Sequence, residues 1–199
     1  SKDIFVNAGF NEVINYAFVD SSFVQMLGLN NDSIELANPM SSNQDVMRPS
    51  LIPGLLSNFE YNFNRGAQKF RIFEVGNVFT KQESCKSLAG LLFFDKSSSD
   101  WSGSYQSNFY DLRKNLDMFF SRLNIEPVYK KTSVNHLHPG ISAEIKMKTK
   151  SIGNIGVLHP AIQKKLKLPK IVLFEINLDF IKLPKINAIA QPPKFPGSE

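Results

Sequence analysis

The apolar residues of this chain change period several times along its length, and that alternation restricts it to a mixed helix–strand domain. Phe109, Leu112, Leu116, Phe119 and Leu123 recur at three- and four-residue intervals with Arg113, Lys114 and Asp117 between them, so residues 109–123 predict an amphipathic helix. Phe109, Phe119 and Phe120 then belong to the core rather than to a small-molecule pocket. Phe70–Thr80 predicts a long strand, and the apolar run Ser87–Phe94 a central one. Further strands are expected over residues 12–19, 33–36, 126–132, 141–149, 152–158 and 171–178.

Four more helices follow from local signals. Residues 3–8 end at Gly9, which tolerates the left-handed backbone of a helix terminus. Residues 21–27 are capped by Asp20 and stopped by Gly28. Residues 51–64 have Pro53 in the first turn and close at Arg65-Gly66, and Pro160 opens a helix to Leu168. Loops are expected at 38–43 and at Ser97-Ser98-Ser99-Asp100. Several neighbouring strands are separated only by short turns, which makes them antiparallel. The expected class is α+β, with a mainly antiparallel sheet flanked by helices.

Composition narrows the functional classes. With 199 residues, 42% apolar and 17 phenylalanines, the chain has enough material for a core and is neither disordered nor fibrous. No apolar run approaches the ~20 residues of a membrane span, and the opening SKDIFVNAG lacks the apolar stretch of a signal peptide. The single cysteine, Cys85, excludes an internal disulfide framework and a cysteine-based zinc site. A reducing, cytoplasmic setting is the expectation. The chain starts at Ser1, and Pro192, Pro193 and Pro196 stiffen its last residues. One domain over 1–190 is therefore expected, with 191–199 a truncated linker to a missing C-terminal domain.

Charge is uneven: residues 1–85 hold six Lys/Arg against nine Asp/Glu, and residues 86–199 hold 17 against nine. A lysine-rich solvated surface accounts for this, and a polyanion-binding surface is the alternative.

The motifs for chemistry are sparse. His136 and His138 share a face if they lie on a strand, and with His159 could make a three-histidine zinc site. His138 and His159 each precede a proline, however, which suits turns and helix starts, and no further ligand stands at useful spacing. Gly-x-Ser-x-Gly, G-x-x-x-x-G-K-[ST] and G-x-G-x-x-G are all absent. Ser102-Gly103-Ser104 reads as a loop, and Cys85 as an inert thiol.

Three blocks carry a family resemblance. The first is Gly9-Phe10-Asn11-Glu12-Val13-Ile14-Asn15-Tyr16-Ala17-Phe18. The second runs from Asn38-Pro39-Met40-Ser41 through Val46-Met47-Arg48-Pro49-Ser50-Leu51-Ile52-Pro53-Gly54-Leu55-Leu56 to Arg71-Ile72-Phe73-Glu74-Val75-Gly76-Asn77-Val78-Phe79. The third is His138-Pro139-Gly140-Ile141-Ser142-Ala143-Glu144-Ile145 with Ile155-Gly156-Val157-Leu158-His159-Pro160. In this order they resemble the class II synthetase-like module of the beta chain of bacterial phenylalanyl-tRNA synthetases, which precedes the anticodon-binding domain. The chain departs from the family's usual residues at Ala17, Gln44, Pro49 and Leu158.

The resemblance implies a class II synthetase-like fold, and a heterotetramer of two alpha and two beta chains that joins phenylalanine to its tRNA with ATP and Mg²⁺. It also implies that the alpha chain performs the chemistry and that this module is a non-catalytic copy paired with it. No catalytic, cofactor or metal residue is then expected in the fragment. The residues agree with that expectation. A class II site uses arginines to hold the ATP phosphates, yet Arg occurs only at 48, 65, 71, 113 and 122. Arg71 and Glu74, three apart, fall on opposite faces of a strand rather than on one. Each is expected to pair across strands or to face solvent. The first block resembles motif 1, the pairing element of the class, with Tyr16 in place of its proline. Its apolar residues Phe5, Val6, Phe10, Val13, Tyr16 and Phe18 are the expected interface with the alpha chain. The alternative function is a free-standing RNA-binding or assembly module that uses the basic C-terminal half.

Overall fold

Strand β6 (Ser84–Phe94) is the spine of the molecule. Its residues from Ser87 to Phe93 are all buried, so both of its faces are covered. In the computed structural model the described residues are 2–30, 32–39, 41, 43–94 and 108–181. The loop expected at 97–100, Ser102-Gly103-Ser104, Met40, Ser42 and the proline-rich 191–199 lie outside them.

The other elements, in chain order, are α1 (Asp3–Asn7), β1 (Asn11–Glu12), β2 (Phe18–Val19), α2 (Ser21–Met26), β3 (Ile34–Glu35), β4 (Val46–Met47), α3 (Ile52–Phe63) and β5 (Lys69–Phe79). After β6 come α4 (Phe109–Arg122), β7 (Pro127–Lys131), β8 (Leu137–Met147), β9 (Lys150–Leu158), α5 (Pro160–Leu166) and β10 (Val172–Asn177). Seven strands form one sheet in the order β1-β5-β6-β10-β9-β8-β7, and β2-β4-β3 form a small second sheet. Every pairing is antiparallel except β1 with β5. The α+β class and the antiparallel sheet flanked by helices are as the sequence implies.

Local signals explain the helices. Asn108 caps α4 by accepting from the backbone N–H of Tyr110 and Asp111, while the Asp111 carboxylate accepts from the Asn108 N–H. Asp20 caps α2 through Ser22 N–H at 2.7 Å. His159 caps α5 with Nδ1 accepting from Ala161 N–H at 3.2 Å. Gly9, at φ +79°, ends α1 in the left-handed region.

Each face of the large sheet has its own core. On one face α1 and α4 close over Phe73, Leu88, Leu92, Ile145, Ile155 and Phe174. Phe5 sits at its centre, with ring centroids of Phe10, Phe73, Phe119 and Phe174 at 5.4–5.8 Å. Phe119 and Phe120 are buried here and Phe109 packs against them. On the other face α3 and α5 cover Ile72, Val78, Ala89, Leu91, Phe93 and Leu173.

The strand expected over residues 12–19 is two short strands in different sheets. After the parallel pairing of Asn11 and Glu12 with β5, the Val13 N–H still reaches Phe73 O at 2.9 Å. Beyond Val13 the chain leaves the ladder: the backbone N–H and C=O of Asn15 bond to the side chains of Glu74 and Arg48, and Ala17 O accepts from the Arg48 backbone N–H at 2.8 Å. Among the described residues no helix is long and apolar enough to cross a membrane.

Candidate functional site

Two features stand out near the first sequence block: a buried polar seam and an exposed apolar strip above it. The seam is built where β1, β5 and the start of α3 meet. β5 alternates its side chains, so Phe73 and Val75 enter the aromatic core while Ile72, Glu74 and Val78 face α3. Glu74 is thereby carried into the interior, only 2% exposed. A buried carboxylate needs a cation and hydrogen-bond donors. Arg48 supplies the cation, its Nη1 donating to Glu74 Oε1 at 2.7 Å. Asn15 donates its backbone N–H to Oε1 and its Nδ2 to Oε2, at 3.2 and 2.7 Å.

Arg48 makes further bonds to the backbone. Its Nε donates to Asn77 O at 2.9 Å and Nη1 to Asn15 O at 3.3 Å. Position 76 must be glycine for this, since a Cβ there would collide with Arg48 Nη2. Asn58 of α3 donates Nδ2 to Asn15 Oδ1 at 2.5 Å. A second carboxylate, Glu175 of β10, holds the entry to α3, accepting from Ser50 Oγ at 2.5 Å and Leu51 N–H at 2.9 Å. Desolvation pushes the Glu175 pKa up and the Glu74 charge adds to it, against Ser50, Leu51 and Arg48, which pull it down. Among the described residues no buried side-chain nitrogen or oxygen lacks a partner. The buried side-chain polar atoms of the seam are all paired.

Arg71 lies on the opposite face of β5. It donates to Ala8 O at 2.7 Å and stacks on Phe94 at 4.6 Å. The opposite-face expectation for Arg71 and Glu74 is therefore realised in the geometry. The expectation that Glu74 pairs across strands or faces solvent is corrected: it is buried and paired with Arg48. Arg48 and Asn15 were invisible as its partners because nothing periodic links positions 15, 48 and 74.

The six expected interface residues divide. Phe5 and Phe10 are 1% and 2% exposed. This is a correction to their placement on a surface: both rings are needed to fill the aromatic core under α4. Val13 packs inward against the second core. Val6 (53%) and Tyr16 (78%) are exposed, and Phe18 is half-buried. Ile14, absent from the expected set, is 91% exposed. Alternation explains it: Val13 and Asn15 point in, so Ile14 and Tyr16 point out. Beside them a cleft of about 550 Å³ is lined by Tyr16, Phe18, Phe23, Met26 and Pro53.

The histidines do not converge. His136 is buried, and desolvation lowers its pKa to about 4. His138 Nδ1 accepts from Gly140 N–H at 2.9 Å, and His159 is the α5 cap. Among the described residues no group of three or more His, Cys, Asp or Glu could hold a metal. Burial raises the Cys85 thiol pKa.

Comparison with known proteins agrees with this architecture. The fold is similar to that of a pyrrolysyl tRNA synthetase from Desulfitobacterium hafniense, with a TM-score of 0.69 at 13% identity over 90% of this chain and 64% of that one. The chain is 37% identical over 197 residues to a phenylalanine--tRNA ligase beta subunit of Legionella pneumophila, 35% to that of Nitrosospira multiformis and 32% to that of Staphylococcus aureus. These alignments cover 94%, 98% and 98% of the chain. It spans about a quarter of the length of each relative: 25%, 25% and 26%. The family model for the phenylalanyl tRNA synthetase beta chain CLM domain matches residues 1–178. With this match across a class II synthetase-like fold, the chain belongs to the phenylalanyl-tRNA synthetase beta chain CLM-domain family.

Proposed function

We propose that this domain is a non-catalytic core module of a phenylalanine-tRNA ligase beta subunit, which supports the ATP- and Mg²⁺-dependent attachment of phenylalanine to tRNA by pairing with an alpha subunit. The observation that carries the non-catalytic role is the closure of the Arg48–Glu74–Asn15 seam. Adenylate chemistry needs cationic forks held open for phosphate oxygens. Arg48 is committed to Glu74, Asn77 and Asn15, and Arg71 to Ala8 and Phe94. Arg65 bonds back to Tyr61, and Arg113 to Asp117. No arginine occurs in residues 123–199.

Pairing draws on the exposed strip. Ile14 and Tyr16 are adjacent outward-facing apolar residues, with Val6 exposed at the end of α1 and the Phe18 cleft alongside. Large exposed apolar groups in one place mark an interaction surface. In the parent enzyme this strip faces the alpha chain within a heterotetramer of two alpha and two beta chains that also binds tRNA.

The test has two arms. Pyrophosphate exchange by the domain with phenylalanine, ATP and Mg²⁺ is expected to stay at background, and turnover that survives repurification would refute the non-catalytic role. The beta chain is expected to co-purify with the alpha chain, and Tyr16→Ala to weaken that association while folding is retained.

A further inference from the structure

The far end of the sheet, away from the strip, carries a surface of different character. There α4 faces edge strand β7, and residues 140–143 of β8, beside the register shift between Leu137 and Ser142, complete a cleft with both. This cleft of about 500 Å³ is lined by three cations, Arg113, Lys131 and Lys170, and by no Asp or Glu. Lys131 and Lys170 make no ion pair among the described residues. The cleft also presents rings: Tyr110, 70% exposed, and Tyr129.

The rings are held rather than loose. Tyr110 packs edge-on against Phe109 at 5.5 Å. The Arg113 guanidinium lies 4.2 Å over the Tyr129 ring, while Tyr129 OH donates to Asp117 at 2.6 Å and Asp117 also pairs with Arg113 at 3.5 Å. Asp117 thus holds both Arg113 and Tyr129 in this contact.

We propose that this cleft binds single-stranded RNA, with an unpaired base stacked on Tyr110 and neighbouring phosphates neutralised by Lys131 and Lys170. One exposed ring beside two unpaired lysines, with no carboxylate lining the cleft, matches the chemistry of a chain of alternating π-faces and phosphates. An acidic peptide would use the lysines but would leave the exposed Tyr110 ring without a purpose.

The experiment uses the full beta chain assembled with its alpha chain and an oligouridylate carrying 4-thiouridine, photocrosslinked and mapped by mass spectrometry. Cross-links are expected in the peptides holding Tyr110 or Ile141. Tyr110→Ala is expected to reduce their yield about tenfold, and Tyr110→Phe to restore it. Lys131→Ala with Lys170→Ala is expected to weaken binding about tenfold and to flatten the salt dependence by about 1.4 in log–log slope. Thermal unfolding of each variant checks that the fold is intact. Cross-links confined to other regions, or yields unchanged in the variants, would overturn the site. So would equal competition by polyglutamate together with indifference to Tyr110→Ala, which would mark a general acidic-peptide surface. If the two chains fail to assemble, the pairing reading falls instead, and the same cross-link is read on the beta chain alone.

Discussion

The two faces of the seven-stranded sheet solve different problems with alternate residues of the same strands. Toward α1 and α4, β5 contributes Phe73 and Val75 to a core of stacked rings around Phe5. Toward α3 and α5, it contributes Ile72 and Val78, with Glu74 between them bound to Arg48 and Asn15. The first face gains stability by removing apolar area from water, which tolerates many sequences of the right volume. The second gains little net stability from its ion pair, because desolvation offsets the attraction. What that pair gives instead is position. It fastens residues 13–17 to the sheet, so that Ile14 and Tyr16 stand outward above it.

Breaking each face separately tests this contrast. The largest effect is expected from Glu74→Leu, which strands Arg48 in the interior and should cost about 3–5 kcal/mol in denaturant unfolding. Adding Arg48→Met should recover much of that loss, and a double variant no better than the single would show the seam to be a true source of stability. Phe5→Ala on the opposite face should cost about 3–5 kcal/mol through the cavity left among four rings. No second substitution in the seam should rescue it.

A smaller effect sits at His136, near the edge of the α3–α5 core beside Leu137. Its folded-state pKa, about 4, lies below its ordinary 6.5, so the folded protein binds fewer protons there than the unfolded chain. The stability from keeping His136 neutral is present above pH 6.5 and is lost as pH falls toward 4, by about 3 kcal/mol. Unfolding measured across this window should flatten in His136→Gln, and an unchanged slope would remove His136 as the cause. The smallest effect on stability is expected from Tyr16→Ala, within about 0.5 kcal/mol because the ring is exposed. Association with the alpha chain should nevertheless weaken by about 2 kcal/mol. Loss of stability with intact association would return Tyr16 to the core.

Much of the fold was legible because it is local. The helix expected at 109–123 is α4, Phe109–Arg122, and its cap Asn108 lies directly before it. The helix expected at 51–64 is Ile52–Phe63. β8 and β6 begin earlier than expected, at Leu137 and Ser84, because pairing with neighbours extends them beyond their apolar stretches. The candidate surface was only partly legible. The first block is rich in apolar residues, but composition does not distinguish Phe5 and Phe10, which fill the core, from Ile14 and Tyr16, which leave it.

Residue spacing by itself determined most of the element types and the mainly antiparallel sheet, since periods of 3.6 and 2 are properties of a single segment. The shortage of arginines was likewise fixed before any folding. Tertiary structure alone decided which charges meet. The contacts of Glu74 with Arg48, of Asn15 with Glu74 and of Ser50 with Glu175 join residues 26, 59 and 125 positions apart. A buried carboxylate takes whichever donors the packed sheet and α3 bring within hydrogen-bond distance, and no one-dimensional pattern records that choice.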